Sequence, residues 1–476
     1  LVLDATPYRR AAFDREEKVY FLKAALMVAI VYFFRREIAG LAGMLLVFTP
    51  LFFFSYVWFK SLHTGDRIID VLREHITLMP VPYTERGGSA FIPRATIALV
   101  LANVAVFYAM TGLSPEGQKR VLESLMFVPK NIGGANLLIS PLTSMFLHAN
   151  AGHLWGNMAF LWAFSPAVEE RLGTRRFVLL YLLTGLLGSL SELVIGRLFF
   201  HETIHGMGAS GAVSGIMGIF MVRCYFKKLV VPLPLFGFFS VKLRFNSLLP
   251  LGLFFLLDLK GGVRELSGSP SGIGYWAHIG SMAGGVLIAV LFRLHWKAAE
   301  EKYTEAGLAA MDEQYSRRES MNALQSALQL NPDNEAALLG LAREYAITRK
   351  PEGRDLFQRA IRLKLRSSPE QALEIYKEYY ATYNLMLEPD LQYRLAGIFY
   401  RQGDHEPAAR SLEMVILEPA ASDDTRQRAF YQLVVLLAEN NMLEAAHFRL
   451  EQFRERFPGA ELVKAAEDKF VEMLRS

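Results

Sequence analysis

Three short strings place side chains of the kinds that form and stabilise acyl intermediates. The first is Gly208-Ala209-Ser210-Gly211-Ala212-Val213-Ser214-Gly215. A serine there becomes a nucleophile only if a base lies beside it. The string also suits helix packing, because small residues three and four apart let membrane helices approach closely. It is not the soluble hydrolase elbow, since Ala212 fills the last glycine position of G-x-S-x-G. The second string is Ala277-His278-Ile279-Gly280-Ser281-Met282-Ala283-Gly284-Gly285. A histidine in an apolar run costs free energy unless it has a partner, so His278 marks either function or a structural hydrogen bond. Gly280 with Gly284 and Ser281 with Gly285 form a small-residue face. If that face packs on the Ser210 segment, the imidazole reaches the Ser210 hydroxyl as its general base. The third string runs from Phe146 through His148, His153 and Asn157. His153 and Asn157 are four apart, share one helix face, and both donate hydrogen bonds of the kind a developing oxyanion needs. His148 and His153 have no carboxylate or cysteine nearby to complete a ligand set, so neither a metal nor a cofactor is expected.

These strings must be held by membrane helices. The chain has 476 residues, and its charge divides sharply near residue 299. Residues 1–299 carry 28 Lys/Arg and 17 Asp/Glu, a net +11, whereas residues 300–476 carry 23 and 30, a net −7. The first part is charge-poor with long apolar runs, and the second reads as a soluble domain. A hydrophobic content of 52% excludes a disordered chain, and Cys224 as the single cysteine excludes an intrachain disulfide. The basic residues sit in loops beside apolar runs, which points to membrane topology and not to nucleic acid.

A bilayer core needs about 20 apolar residues per helix. Six spans are expected near 93–112, 150–168, 177–198, 207–226, 245–259 and 274–294, the fifth of them short. Ala39–Phe59 is a further uncharged run, and Val19–Phe34 either forms a hairpin with it or lies at the interface. Lys and Arg concentrate in one set of loops, including Arg171, Arg175, Arg176, Lys227, Lys228, Lys242, Arg244 and Lys297. That side is expected to be cytoplasmic, together with the C-terminal part. Compact loops and this arrangement suit a multi-pass protein of a bacterial inner membrane.

Taken together, His148, His153 and Asn157, then Val168-Glu169-Glu170-Arg171-Leu172-Gly173, then Gly208-Ala209-Ser210-Gly211, then Ala277-His278 resemble the rhomboid intramembrane serine proteases. The resemblance covers about residues 92–296. It implies Ser210 as nucleophile and His278 as base, a dyad without an aspartate. It implies an oxyanion hole of His153, Asn157 and the Ser210 backbone N–H. It also implies that Gly208 keeps the approach to the serine open, that His148 braces the first outer loop, and that Glu169 and Arg171 tie the cytoplasmic end of the second span. Two features depart from the family. The Trp-Arg pair of the first outer loop is absent, with Leu138-Ile139-Ser140-Pro141-Leu142 before Thr143. Ser214 stands where an aromatic ring often stacks on the histidine, so another group must orient His278. His201 and His205 read as solvated loop residues, and Glu192 reads as a residue near the outer end of the third span that reaches water.

Beyond residue 300, amphipathic helices alternate with turns. Leu395, Ala396, Phe399, Ala408 and Leu412 align at a spacing of 38 with Leu433, Val434, Leu437, Ala446 and Leu450. Leu338, Leu341, Ala342 and Tyr345 begin a weaker copy. The pattern resembles the tetratricopeptide repeat, whose helix pairs bury one another's apolar faces. The expected organisation is all-α. An N-terminal extension with one or two membrane segments (1–91) precedes a six-helix membrane bundle (92–296) and a soluble repeat domain (297–476) that binds a cytoplasmic protein. Transmembrane proteins in the bilayer are the expected substrates. The competing expectation is an inactive rhomboid-like client-binding protein, or a scaffold whose spans only anchor the repeats.

Overall fold

The computed structural model describes residues 7–35, 52–77, 81–85, 91–128, 136–199, 206–236, 239–268, 272–311 and 317–475. Much of the expected Ala39–Phe59 span, and both His201 and His205, lie outside the described residues. The chain forms two compact units, Leu1–Ala298 and Ala299–Ser476. The fold is all-α apart from one small sheet.

Each of the six expected spans contains a helix. In order these are Arg94–Thr111, Ala151–Leu172, Thr174–Phe199, Ser210–Arg223, Leu248–Leu266 and Tyr275–Leu291, hereafter the first to sixth core helices. The first and third are each long and apolar enough to cross a membrane. The sixth passes the same test only together with the helix Leu294–Met311, at a bend of 76°, and the fourth is apolar but short.

Glycine sets how closely these helices approach. A Cβ on Gly285 would lie 2.1 Å from the Gly215 carbonyl oxygen, and one on Gly218 would lie 2.2 Å from the Met282 carbonyl oxygen. The fourth and sixth helices therefore touch backbone to backbone. Gly188 and Gly280 do the same for the third and sixth, where an added Cβ would meet Ser281 Oγ or Ser191 at 2.3 Å. Gly215 also faces Thr184 of the third helix. In lipid, apolar side chains gain nothing by leaving solvent for protein, so association depends on this kind of close van der Waals contact.

The first and second helices are joined at one end by a buried carboxylate. Glu169 accepts hydrogen bonds from the backbone N–H of Ala95 (2.8 Å) and Thr96 (2.9 Å), and from the Thr96 (2.8 Å) and Thr174 (3.0 Å) hydroxyls. It thus caps the first helix, where N–H groups lack intrahelical acceptors and the helix dipole favours a negative charge. Arg171, by contrast, binds within its own helix, to the Ala167 carbonyl (2.9 Å) and to Glu170 (3.2 Å).

Two features differ from the sequence reading. The stretch between the fourth and fifth helices, read as a charged loop, is an antiparallel hairpin of β3 (Lys228–Phe236) and β4 (Phe239–Asn246). Short strands β1 (Ile76–Thr77) and β2 (Tyr83–Thr84) cover its two edges in the order β1-β4-β3-β2. Val230 and Val241 are buried in it, while Arg244 pairs with Glu85. The N-terminal extension also belongs to the first unit. The helix Pro7–Phe33 packs on the fifth core helix, and Asn246 donates to the Tyr20 hydroxyl at 2.8 Å.

In the second unit, consecutive helices stack on one another from Arg317–Leu330 to Glu461–Arg475. The residues that align at a spacing of 38 are all buried in its continuous core, as are Leu338, Leu341 and Ala342. Turns with a left-handed residue, such as Gly403 at φ 82°, end helices and return the chain.

Candidate active site

Ser210 is the first residue of the fourth helix, so its N–H belongs to the first turn, where no intrahelical acceptor exists. The segment before it is pinned by backbone bonds. Gly206 and Phe127 exchange hydrogen bonds at 2.8 and 3.1 Å, and Gly208 donates to the Ser144 carbonyl at 2.8 Å. Gly208 has φ +119°, a conformation that favours glycine. A Cβ there would lie 2.8 Å from His153 Cε1 and 3.5 Å from Asn157 Nδ2. Any side chain at 208 would therefore displace His153, one of the two expected oxyanion donors, and touch the other.

Asn150, which the sequence reading passed over, caps the second helix by accepting from the His153 N–H at 2.9 Å. The cap fixes the first turn and so the position of His153, with Asn157 one turn later on the same face. Among the described residues the Asn157 Nδ2 amide is buried and has no hydrogen-bond acceptor. A buried donor normally has a partner, and one that lacks it costs about 1–3 kcal/mol. Asn157 lines a cavity of about 1060 Å³ together with Ser210, His278, His153 and Gly208. The residues singled out as nucleophile, base and oxyanion donors thus share one concavity. Glu169 and Arg171 lie apart from it, at the far end of the second helix.

His148 lies in the loop before the second helix, its ring 5.2 Å from that of His153. Among the described residues neither of its ring nitrogens has a hydrogen-bond partner. Burial pushes its pKa down to about 4, and the nearby His153 adds to this. The imidazole is therefore neutral at physiological pH.

His278 is oriented by two residues of the fifth helix. Its Nδ1 lies 3.0 Å from Asp258 Oδ2, and its ring centroid is 5.9 Å from that of Phe254, with planes 30° apart. The expectation of a dyad without an aspartate had no place for this contact. Asp258 appeared in the sequence only as the charge that ends a short apolar run. The one signal was its spacing from Phe254, four residues, which puts both on one helix face. Ser214, at the position that is often aromatic, is buried.

Glu192 corrects another expectation. It is buried beside the cavity instead of lying exposed, and accepts from the Ala277 N–H at 2.9 Å. An unpaired N–H in the first turn of the sixth helix supplies the compensation that a carboxylate in a membrane helix needs. Ser191 beside it donates to the Trp276 carbonyl at 2.8 Å.

Residues 136–295 match the Rhomboid domain family model. The chain is 38% identical over 77 residues to the rhomboid protease GluP of Bacillus subtilis, covering 16% of this chain and 14% of that protein. It is 27% identical over 165 residues to RHOMBOID-like protein 6, mitochondrial, of Arabidopsis thaliana, covering 28% and 52%. It is 28% identical over 147 residues to the human presenilin-associated rhomboid-like protein, mitochondrial, covering 30% and 37%. The chain spans about half or less of the length of these relatives.

The His148 environment predicts a pH effect on stability. Its pKa lies below the ordinary 6.5, so between about pH 6.5 and 4 the unfolded chain binds a proton that the folded chain does not. Stability should therefore fall as pH drops through that window. His148→Phe should show a shallower fall in denaturation experiments in detergent, and identical pH slopes for the two proteins would contradict the assignment.

Proposed function

Proceeding from a chain that carries a Rhomboid domain over residues 136–295, we propose that it is an intramembrane serine endopeptidase. Ser210 attacks the scissile carbonyl, and His278 takes the hydroxyl proton and later passes it to the leaving amine. His153, Asn157 and the Ser210 N–H stabilise the oxyanion. Water then hydrolyses the acyl-enzyme with His278 again as base. His148 braces the outer loop, Gly208 keeps the serine open, and Glu169 and Arg171 hold the far end of the second helix. The observation that carries this reading is the buried Asn157 amide without an acceptor, set beside Gly208 in the cavity that Ser210 and His278 share.

A helical substrate hides its peptide bonds in its own hydrogen bonds, so it must unwind before Ser210 can attack. Helix-weakening residues near its outer end should therefore favour cleavage. Entry past the fifth helix suits that helix's place at the cavity wall, where Phe254 lines the cavity.

The charge of the loops favours an orientation with the C-terminal unit in the cytoplasm, and the compact loops suit a bacterial inner membrane. There the stacked helices present a surface for a protein partner, a common use of helical repeats.

Two experiments test the proposal. The reconstituted protein should cut a single-span model substrate, and Ser210→Ala or His278→Ala should abolish the cut. Equal silence from all three folded proteins would favour a client-binding protein or a scaffold. Removal of residues 312–476 should leave cleavage of the model substrate intact while altering the set of natural proteins cut. A folded truncation that is dead toward every substrate would contradict a partner-binding role for the repeats.

A further inference from the structure

We propose that Asp258 is a positioning residue that fixes the tautomer and direction of His278, so that the base works within a Ser–His–Asp line. The inference rests on the protease reading and deepens it. The Nδ1 to Oδ2 distance of 3.0 Å is that of a hydrogen bond, and both side chains are largely buried, at 11% and 10% exposure. Asp258 as a carboxylate can only accept, so its contact with Nδ1 puts the proton there. Nε2 is then left with a lone pair, the one nitrogen able to take the proton of the Ser210 hydroxyl.

The fifth helix is built to hold that contact. Phe254, Asp258 and Gly262 are four residues apart in turn, so they form one stripe. Phe254 lies against the His278 ring. Gly261 and Gly262 admit the rings of Tyr275 and Trp276, which an added Cβ would meet at 2.3 and 3.1 Å. These contacts span the first turn of the sixth helix, ending at His278. From the third helix, Glu192 binds the Ala277 N–H and fixes the same turn from the other side. The ring has no aromatic residue at 214 to lean on, and the carboxylate with Phe254 supplies the missing constraint.

The proton inventory closes. When Ser210 attacks, its proton moves to Nε2, and the imidazolium keeps its Nδ1 proton in the bond to Asp258, which remains ionised. As the peptide C–N bond breaks, the Nε2 proton passes to the leaving amine. Asp258 stabilises the transient imidazolium and never needs to accept a proton.

The test compares wild type, Ser210→Ala and Asp258→Asn on one single-span substrate, and records the imidazole nitrogen spectrum of resting wild type with labelled histidine. Asp258→Asn should lower kcat by roughly a hundred- to ten-thousand-fold, the range seen when a base is held in the wrong tautomer, with KM little changed. The wild-type spectrum should show His278 protonated at Nδ1 and bare at Nε2. A folded Asp258→Asn protein with wild-type kcat would overturn the inference while leaving the protease reading in place. If that variant does not fold, the wild-type spectrum decides, and a proton resident on Nε2 would overturn it. Wild type no more active than Ser210→Ala would overturn the protease reading and this inference with it.

Discussion

The structure depends on the contact between the fourth and sixth core helices. Gly215 and Gly218 on one, Gly285 on the other, bring two backbones so close that a single Cβ would collide with a carbonyl oxygen. This contact sets the register that brings Ser210 and His278 to one cavity. It holds without a hydrophobic driving force, because in lipid the gain comes from close packing alone. The third helix completes the core by meeting both of the others at glycines and small hydroxyl residues. What reads as a packing motif and what reads as a nucleophile motif are therefore one arrangement. The glycines around Ser210 seat its helix against the sixth, and in the proposed mechanism they also leave the serine reachable.

Buried carboxylates supply the second layer of positioning. Each is costly in an apolar setting and each is compensated by donors from another helix. Glu169 binds the start of the first helix, Glu192 binds the start of the sixth, and Asp258 binds the imidazole itself. The first two satisfy helix N-termini, where free N–H groups and the dipole both favour a negative charge. The third reaches a ring nitrogen. The helix that carries it also lines the cavity through Phe254, so in the proposed mechanism substrate entry and the orientation of His278 would act on the same element. A helix that yields too far to admit substrate would release His278.

Much of this was legible in the residues. Long apolar runs bounded by arginines and lysines located all six core helices, because a membrane span is the strongest pattern a sequence carries. The ordered histidine, asparagine, serine and glycine strings located the cavity, and the repeat spacing of 38 located a core that is buried at every aligned position. Three features were hidden for physical reasons. The hairpin alternates apolar with basic residues over a short length, and Pro232 and Pro234 mask its strand character. Glu192 looked solvated because an unpaired acid in an apolar run has no visible partner. Its partner is a backbone N–H 85 residues away, a group that every non-proline residue carries and that no pattern marks. Asp258 looked like the end of a span, since its meaning depends on which helix packs against it.

The account's central claim is that Ser210 is activated by His278. The most direct measurement is to treat the folded protein in detergent with a fluorophosphonate, which phosphonylates serines that a base has made nucleophilic, with loss of fluoride, and to map the adduct by mass spectrometry. The account predicts modification at Ser210 and at no other serine, with the adduct lost in His278→Ala. An unmodified Ser210, or equal modification with and without His278, would contradict it.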